Sequence, residues 1–231
     1  MATDILQGLL KALELIISGN PTVLDITSRS LYISGSATIL AVLWSLPISI
    51  LIGLRNFRGK KAVKGIFNAL LGIPTVGLGL ILYLLFSRSG PLGVFHLLYT
   101  PSAIIIGQAV LVTPILVSFS LNAIEAVDPE IRDLARTLGA SESQVGLTVL
   151  KEAVPGVLLA VIASFNRAIA ELGVALMLGG NIAGLTRVLT TTIALETTRG
   201  NFELGIALTI ILLAIVFTLN FLVNMLREKI T

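Results

Sequence analysis

Uncharged apolar runs occupy residues 30–54, 65–87, 101–124 and 204–226. Each is long enough for a helix to cross a hydrocarbon core of about 30 Å. A fifth run, residues 154–178, has similar length but encloses Arg167 and Glu171. The pattern predicts an all-α, polytopic transmembrane bundle of five spans, forming a single domain over residues 1–231. Residues 1–20 differ: Asp4, Gln7, Lys11, Glu14 and Ser18 fall on one helical stripe. A helix over that stripe is only about 20 Å long, too short to span, and is expected to lie peripherally at the membrane interface. No Lys or Arg precedes its apolar residues, so it does not read as a secretory signal.

A polar stretch interrupts the apolar pattern: residues 129–156 read PEIRDLARTLGASESQVGLTVLKEAVPG, inside a hydrophilic loop over residues 125–153. Leu134, Leu138, Val145 and Val149 recur at roughly helical spacing among Arg132, Asp133, Arg136, Glu142 and Lys151. This predicts two short amphipathic helices joined at Gly139-Ala140-Ser141, with Gly139 in a left-handed turn and Ser141 capping the second helix. Such a hairpin on one face of a bilayer is a surface for a soluble partner.

Composition supports the membrane reading, since 55% of the 231 residues are hydrophobic and only 13% are charged. The formal net charge of +3 does not point to nucleic acid, because the cations sit beside apolar runs. Arg55, Arg58, Lys60, Lys61 and Lys64 lie between the first two spans and mark that loop as cytoplasmic. Threading the spans from there places residues 125–153 in the cytoplasm with Arg132, Arg136 and Lys151, and the C-terminus likewise with Arg227 and Lys229. The N-terminus and the loops carrying Arg88, Arg187 and Arg199 face outward. The chain has no cysteine, which excludes disulfides and thiolate metal sites.

Pro47, Pro74 and Pro114 lie inside predicted spans, where each either bends the helix or is tolerated. The small-residue run GIPTVGLG, residues 72–79, suggests a helix interface lining a permeation path at Pro74 and Thr75. No Walker A loop is present; GLRNFRGKK, residues 53–61, has the wrong spacing and a Lys where Ser or Thr must hold magnesium. Gly179-Gly180-Asn181 reads as the stop of the Arg167-bearing span, and His96 stands alone in a loop. Nothing suggests a catalytic or metal site. Arg167 and Glu171 are the exception among the intramembrane residues, because a charge there must be paired or wet. Three readings stay open: an intrahelical pair at i, i+4, a cation that touches an anion or gate, and a proton relay. The paired reading predicts that Arg167→Met together with Glu171→Met restores expression and transport.

DLARTLGAS resembles the coupling (EAA) loop of ABC importer permeases, the segment that docks on an ATP-binding subunit. Arg136, Thr137, Leu138, Gly139, Ala140 and Ser141 match the common form. Asp133-Leu134-Ala135 stands where Glu-Ala-Ala is usual, and Val149-Leu150-Lys151-Glu152 replaces Ile-x-Leu-Pro. Further along, SFNRAIAELGVALMLGGNIAGLTRVLTTTIALETTRG and LLFSRSGPLG resemble permeases of the molybdate, tungstate and sulfate group, most like its tungstate-type branch. The resemblance implies the type I importer permease fold and a homodimer. It also implies a separate ATPase carrying ATP and magnesium, and an extracytoplasmic oxyanion-binding protein. A self-sufficient secondary transporter or channel is the rival class, but it leaves the hairpin without a role.

Overall fold

The structure is a computed structural model that describes residues 2–228; Lys229, expected at the cytoplasmic C-terminus, lies outside the described residues. Among the described residues ten α-helices follow in order: α1 (Ala2–Ile17), α2 (Pro21–Leu54), α3 (Lys60–Leu70), α4 (Thr75–Phe86), α5 (Pro101–Glu125), α6 (Pro129–Thr137), α7 (Glu142–Ile169), α8 (Gly173–Gly179), α9 (Leu189–Thr198) and α10 (Phe202–Glu228). Three of them start with the same local chemistry, a capping side chain followed by proline. Asn20 Oδ1 accepts from the Thr22 N–H at 3.0 Å, Thr100 Oγ1 from Ala103 at 3.3 Å, and Asp128 Oδ1 from Glu130 at 2.9 Å. Pro21, Pro101 and Pro129 then occupy a position whose N–H would have no helical partner.

Among the described residues four helices are long and apolar enough to cross a membrane: α2, α5, α7 and most of α10. The span expected at residues 65–87 is not one straight helix. It is divided into α3 and α4, which meet at 97°, so five spans are reached only if this bent pair counts as one. Pro74 makes the break, because its ring disfavours helix at Ile73 and it offers no N–H to continue α3. α2 and α5 run through Pro47 and Pro114 without interruption, so only Pro74 breaks its run.

The second helix of the hairpin is likewise not short. It continues through Pro155 as α7, 28 residues or about 42 Å long. The run expected at residues 154–178 stops at Ile169 and restarts as α8.

α5 is the centre of the bundle. It lies against α2 and α7 through small residues, with Ala37, Ala41, Ala109 and Ala160 fully buried. A Cβ on Gly107 would sit 2.5 Å from Leu178, and one on Gly156 would sit 2.6 Å from Ala123, so both glycines are needed for close helix approach. Trp44 Nε1 donates to Thr113 Oγ1 at 2.8 Å, and Gly53 abuts Ile124, so α2 and α5 run parallel. α7 returns antiparallel to them, since Gly156 meets Ala123 while Ala168 shares a cluster with Ala109. α1 packs on α10, with Gly8 against Ile206 and Leu15 buried beside Val23, Leu208 and Ile211. Its other side exposes Leu9, Leu10 and Leu13.

The bundle therefore has two distinct ends. One carries residues 53–64 and the α6 hairpin, tied together by Lys60 and Glu125 at 3.0 Å. The other carries Arg29, whose Nη1 donates to the Arg187 carbonyl at 3.1 Å, and Tyr99, whose N–H donates to the Leu178 carbonyl at 2.8 Å.

Candidate functional site: a coupling hairpin and a meeting of two helix breaks

At the first end, α6 closes at Leu138 and the chain reverses through Gly139 at φ +84°. The Leu138 N–H donates to the Leu134 carbonyl and the Ala140 N–H to the Ala135 carbonyl, each at 3.0 Å. The Ser141 N–H donates to Gln144 Oε1 at 2.8 Å as α7 begins. The turn predicted at Gly139, Ala140 and Ser141 is present. Arg136 forks across it, Nε to Glu142 Oε1 at 2.9 Å and Nη2 to Oε2 at 3.2 Å, with Asp133 at 3.5 Å. That carboxylate pairing raises the Arg136 guanidinium pKa above its ordinary value. Thr137 returns its hydroxyl to the Asp133 carbonyl.

The four periodic apolar residues divide into two roles. Val145 and Val149 are buried, the latter beside Ile124, Val127 and Ala153 at the end of α5. Leu134 and Leu138 are 61% and 79% exposed, so two leucines face outward beside a recess of about 430 Å³ that includes Gly139, Ala140, Gln144, Leu147 and Lys151.

The residues expected on a permeation path come together deeper in the bundle. Thr75 begins α4 just after the Pro74 break, and Gly173 begins α8 just after the break at Ala170–Leu172. A Cβ on Gly173 would lie 2.7 Å from Thr75 Oγ1, so the two helix breaks are in contact. Glu171 lies in the second break. Its side chain is 2% exposed and accepts from Arg167 Nη1 at 2.6 Å; that of Arg167 is 37% exposed. The pair predicted by the i, i+4 spacing is therefore formed, but not within one helix, because α7 has ended at Ile169. Glu171 has further duties: Oε1 accepts the Val174 N–H at 3.0 Å, and its carbonyl accepts Thr190 Oγ1 at 2.8 Å. It caps α8 as well as neutralising Arg167.

Gly180 and Asn181 end α8 with φ of +68° and +53°, the stop expected there. Two contacts had no signal in the sequence pattern. Lys60 and Lys64 converge on Glu125, a residue 61 positions from Lys64, and Lys60 Nζ also donates to the Gly53 and Arg55 carbonyls at 3.3 and 3.2 Å. Asn166 Nδ2 donates to Asn220 Oδ1 at 3.0 Å, joining α7 to α10. In the sequence the lysines of the first contact signal only membrane topology.

The sequence model described as "Binding-protein-dependent transport system inner membrane component" matches residues 45–231, which includes the hairpin and both helix breaks. The chain belongs to this family. The permease is 43% identical over 210 residues to a protein of Haloferax volcanii described as a probable anion ABC transporter permease, covering 89% of this chain and 90% of that one. It is 38% identical over 225 residues to the tungstate uptake system permease protein TupB of Peptoclostridium acidaminophilum, covering 97% and 99%. Among solved structures it superposes on a chain of the inward-facing MetNI methionine ABC transporter with a TM-score of 0.73 at 17% identity, over 91% of this permease and 96% of that chain. That likeness shows the fold. The permease is thus a multi-pass membrane transport subunit with an ABC importer permease fold.

Proposed function

We propose that this permease provides the translocation path of an ABC importer for tungstate, with N-terminus outside and C-terminus in the cytoplasm. It acts as a homodimer with a separate ATP-binding subunit, which carries ATP and magnesium, and with an extracytoplasmic oxyanion-binding protein. One observation carries the mechanism: α7 runs unbroken from the Gly139–Ser141 turn to the break that holds Arg167 and Glu171. A displacement of the hairpin is transmitted along about 42 Å of helix to the place where α8 touches Thr75. Leu134 and Leu138 are the apolar contacts offered to the ATPase, with Asp133, Ala135, Arg136, Thr137, Gly139, Ala140 and Ser141 shaping the hairpin. Closure of the ATPases pulls on α6, and alternating access follows at the breaks.

Pro74, Thr75, Arg167 and Glu171 border the path in this reading. Pairing of Arg167 with Glu171 leaves little net fixed charge there, which suits release of a doubly charged oxyanion that a strongly cationic conduit would retain. Tungstate is supported by the near full-length likeness to TupB. The test is uptake into vesicles reconstituted with the ATPase and binding protein, competed with tungstate, molybdate and sulfate. Strongest competition by tungstate is expected, and preference for sulfate would refute the substrate assignment.

A further inference from the structure

α3, like α6, offers no buried side chain to the bundle. It rests against the hairpin-side end of α5 while the chain turns 97° into α4. The edge that meets α5 carries Lys60 and Lys64, both held by Glu125. The two remaining edges are exposed and opposite in character. One carries Ile66 and Leu70; the other carries Lys61 and Asn68. Arg55 and Arg58, also exposed, precede the helix, and among the described residues no carboxylate pairs with Arg55, Arg58 or Lys61. Lys60 and Lys64 thus share one carboxylate, while Arg55, Arg58 and Lys61 add three exposed cations within the same short stretch of chain. A recess of about 520 Å³ beside the helix is lined by Asn56, Phe57, Gly59, Lys60, Lys61, Lys64 and Glu125, with Arg55 and Arg58 adjoining it in the chain.

We infer that α3 lies in the plane of the cytoplasmic membrane interface and that the recess beside it binds the phosphate headgroup of an anionic phospholipid. The charge is complementary: Arg55, Arg58 and Lys61 supply positive charge that Glu125 does not cancel. The second edge matches the rest of the same molecule, since Ile66 and Leu70 meet acyl chains where the phosphate meets Lys61. A soluble anion would use the basic edge and leave the apolar edge bare. The inference rests on the orientation proposed above, which puts residues 55–64 in the cytoplasm, where anionic lipid headgroups attract juxtamembrane cations.

The experiment uses the full-length chain in nanodiscs, where both faces are accessible, so its outcome does not depend on orientation. A fluorophore is attached to the single cysteine of Ile66→Cys, and quenching by brominated phosphatidylglycerol is compared with quenching by brominated phosphatidylcholine. With three uncancelled cations, a preference for the anionic lipid of at least about tenfold is expected. The preference should fall to about unity in the Arg55→Gln/Arg58→Gln/Lys61→Gln variant and persist in Lys151→Gln. Equal quenching by both lipids in the otherwise native chain would overturn the inference, whether or not the triple variant folds. So would a preference unchanged in the triple variant, or displacement of the lipid by millimolar inorganic phosphate, which would assign the recess to a soluble anion. Orientation is read separately, by cysteine labelling in intact cells.

Discussion

Gly139 is the point at which a small backbone perturbation should disconnect the permease from its motor. Its φ of +84° lies in the left-handed region, and a Cβ added there meets nothing within 4 Å. A substitution at this position is therefore opposed by backbone strain alone, not by a clash. For a β-branched residue that strain is on the order of 1–2 kcal/mol, about 5- to 30-fold in a docking equilibrium. The bundle should be spared, because Val149 and Ala153 still anchor the start of α7 on α5. Gly139→Val is expected to insert and purify normally, with ATPase association and transport-coupled hydrolysis reduced by about that factor. Gly139→Asn should be close to native, since asparagine tolerates the left-handed region, and Gly139→Ala should fall between them. The assay is ATPase binding and stimulation in proteoliposomes, with the thermal midpoint of the permease as control. Uptake by Gly139→Val at the native rate, with normal expression, would refute the assignment of the hairpin as the coupling element.

Three further outcomes follow from particular contacts. Removing both intramembrane charges as Arg167→Met/Glu171→Met leaves the Val174 N–H without its acceptor, at a cost of about 1–3 kcal/mol, so expression should recover only in part. Arg167→Met/Glu171→Gln keeps that acceptor and should restore both expression and uptake; a stable but transport-dead variant would show instead that the cation contacts the anion. Glu125→Gln should free Lys60 and Lys64 and raise amide exchange in α3 while lowering overall stability by no more than about 1 kcal/mol, because the ion pairs are partly exposed. Unchanged exchange in α3 would show that Glu125 does not hold it. Single cysteines at Lys61 and Glu142 should react with an impermeant reagent only in inverted vesicles, and labelling of either in intact cells would contradict the orientation.

The hairpin turn was legible in the sequence because its determinants are local: a glycine for positive φ, a serine after it, and apolar residues at helical spacing. Helix continuity across the membrane boundary was not. The change from polar to apolar residues near Pro155 reports a change of solvent, and α7 passes through it intact. At residues 65–87 uniform apolarity predicted a single span, and of the three prolines that either bend their helices or are tolerated there, nothing local singled out Pro74 as the one that imposes a right-angled break, between α3 and α4. The spacing of Arg167 and Glu171 announced their pairing, but not that Glu171 lies past the end of α7 and caps α8. Lys64 and Glu125 carry no periodic or motif signal, and only the packing of α3 on α5 brings them together.

Vesicles containing the permease, its binding protein outside and its ATPase inside offer the most direct measurement: tungstate uptake with ATP supplied, against uptake with the ATPase omitted and a proton gradient imposed. Uptake that requires ATP hydrolysis, and that disappears when Leu134 and Leu138 are both replaced by aspartate, is the predicted result. Uptake driven by the proton gradient without the ATPase would contradict it, and would make the permease a secondary transporter.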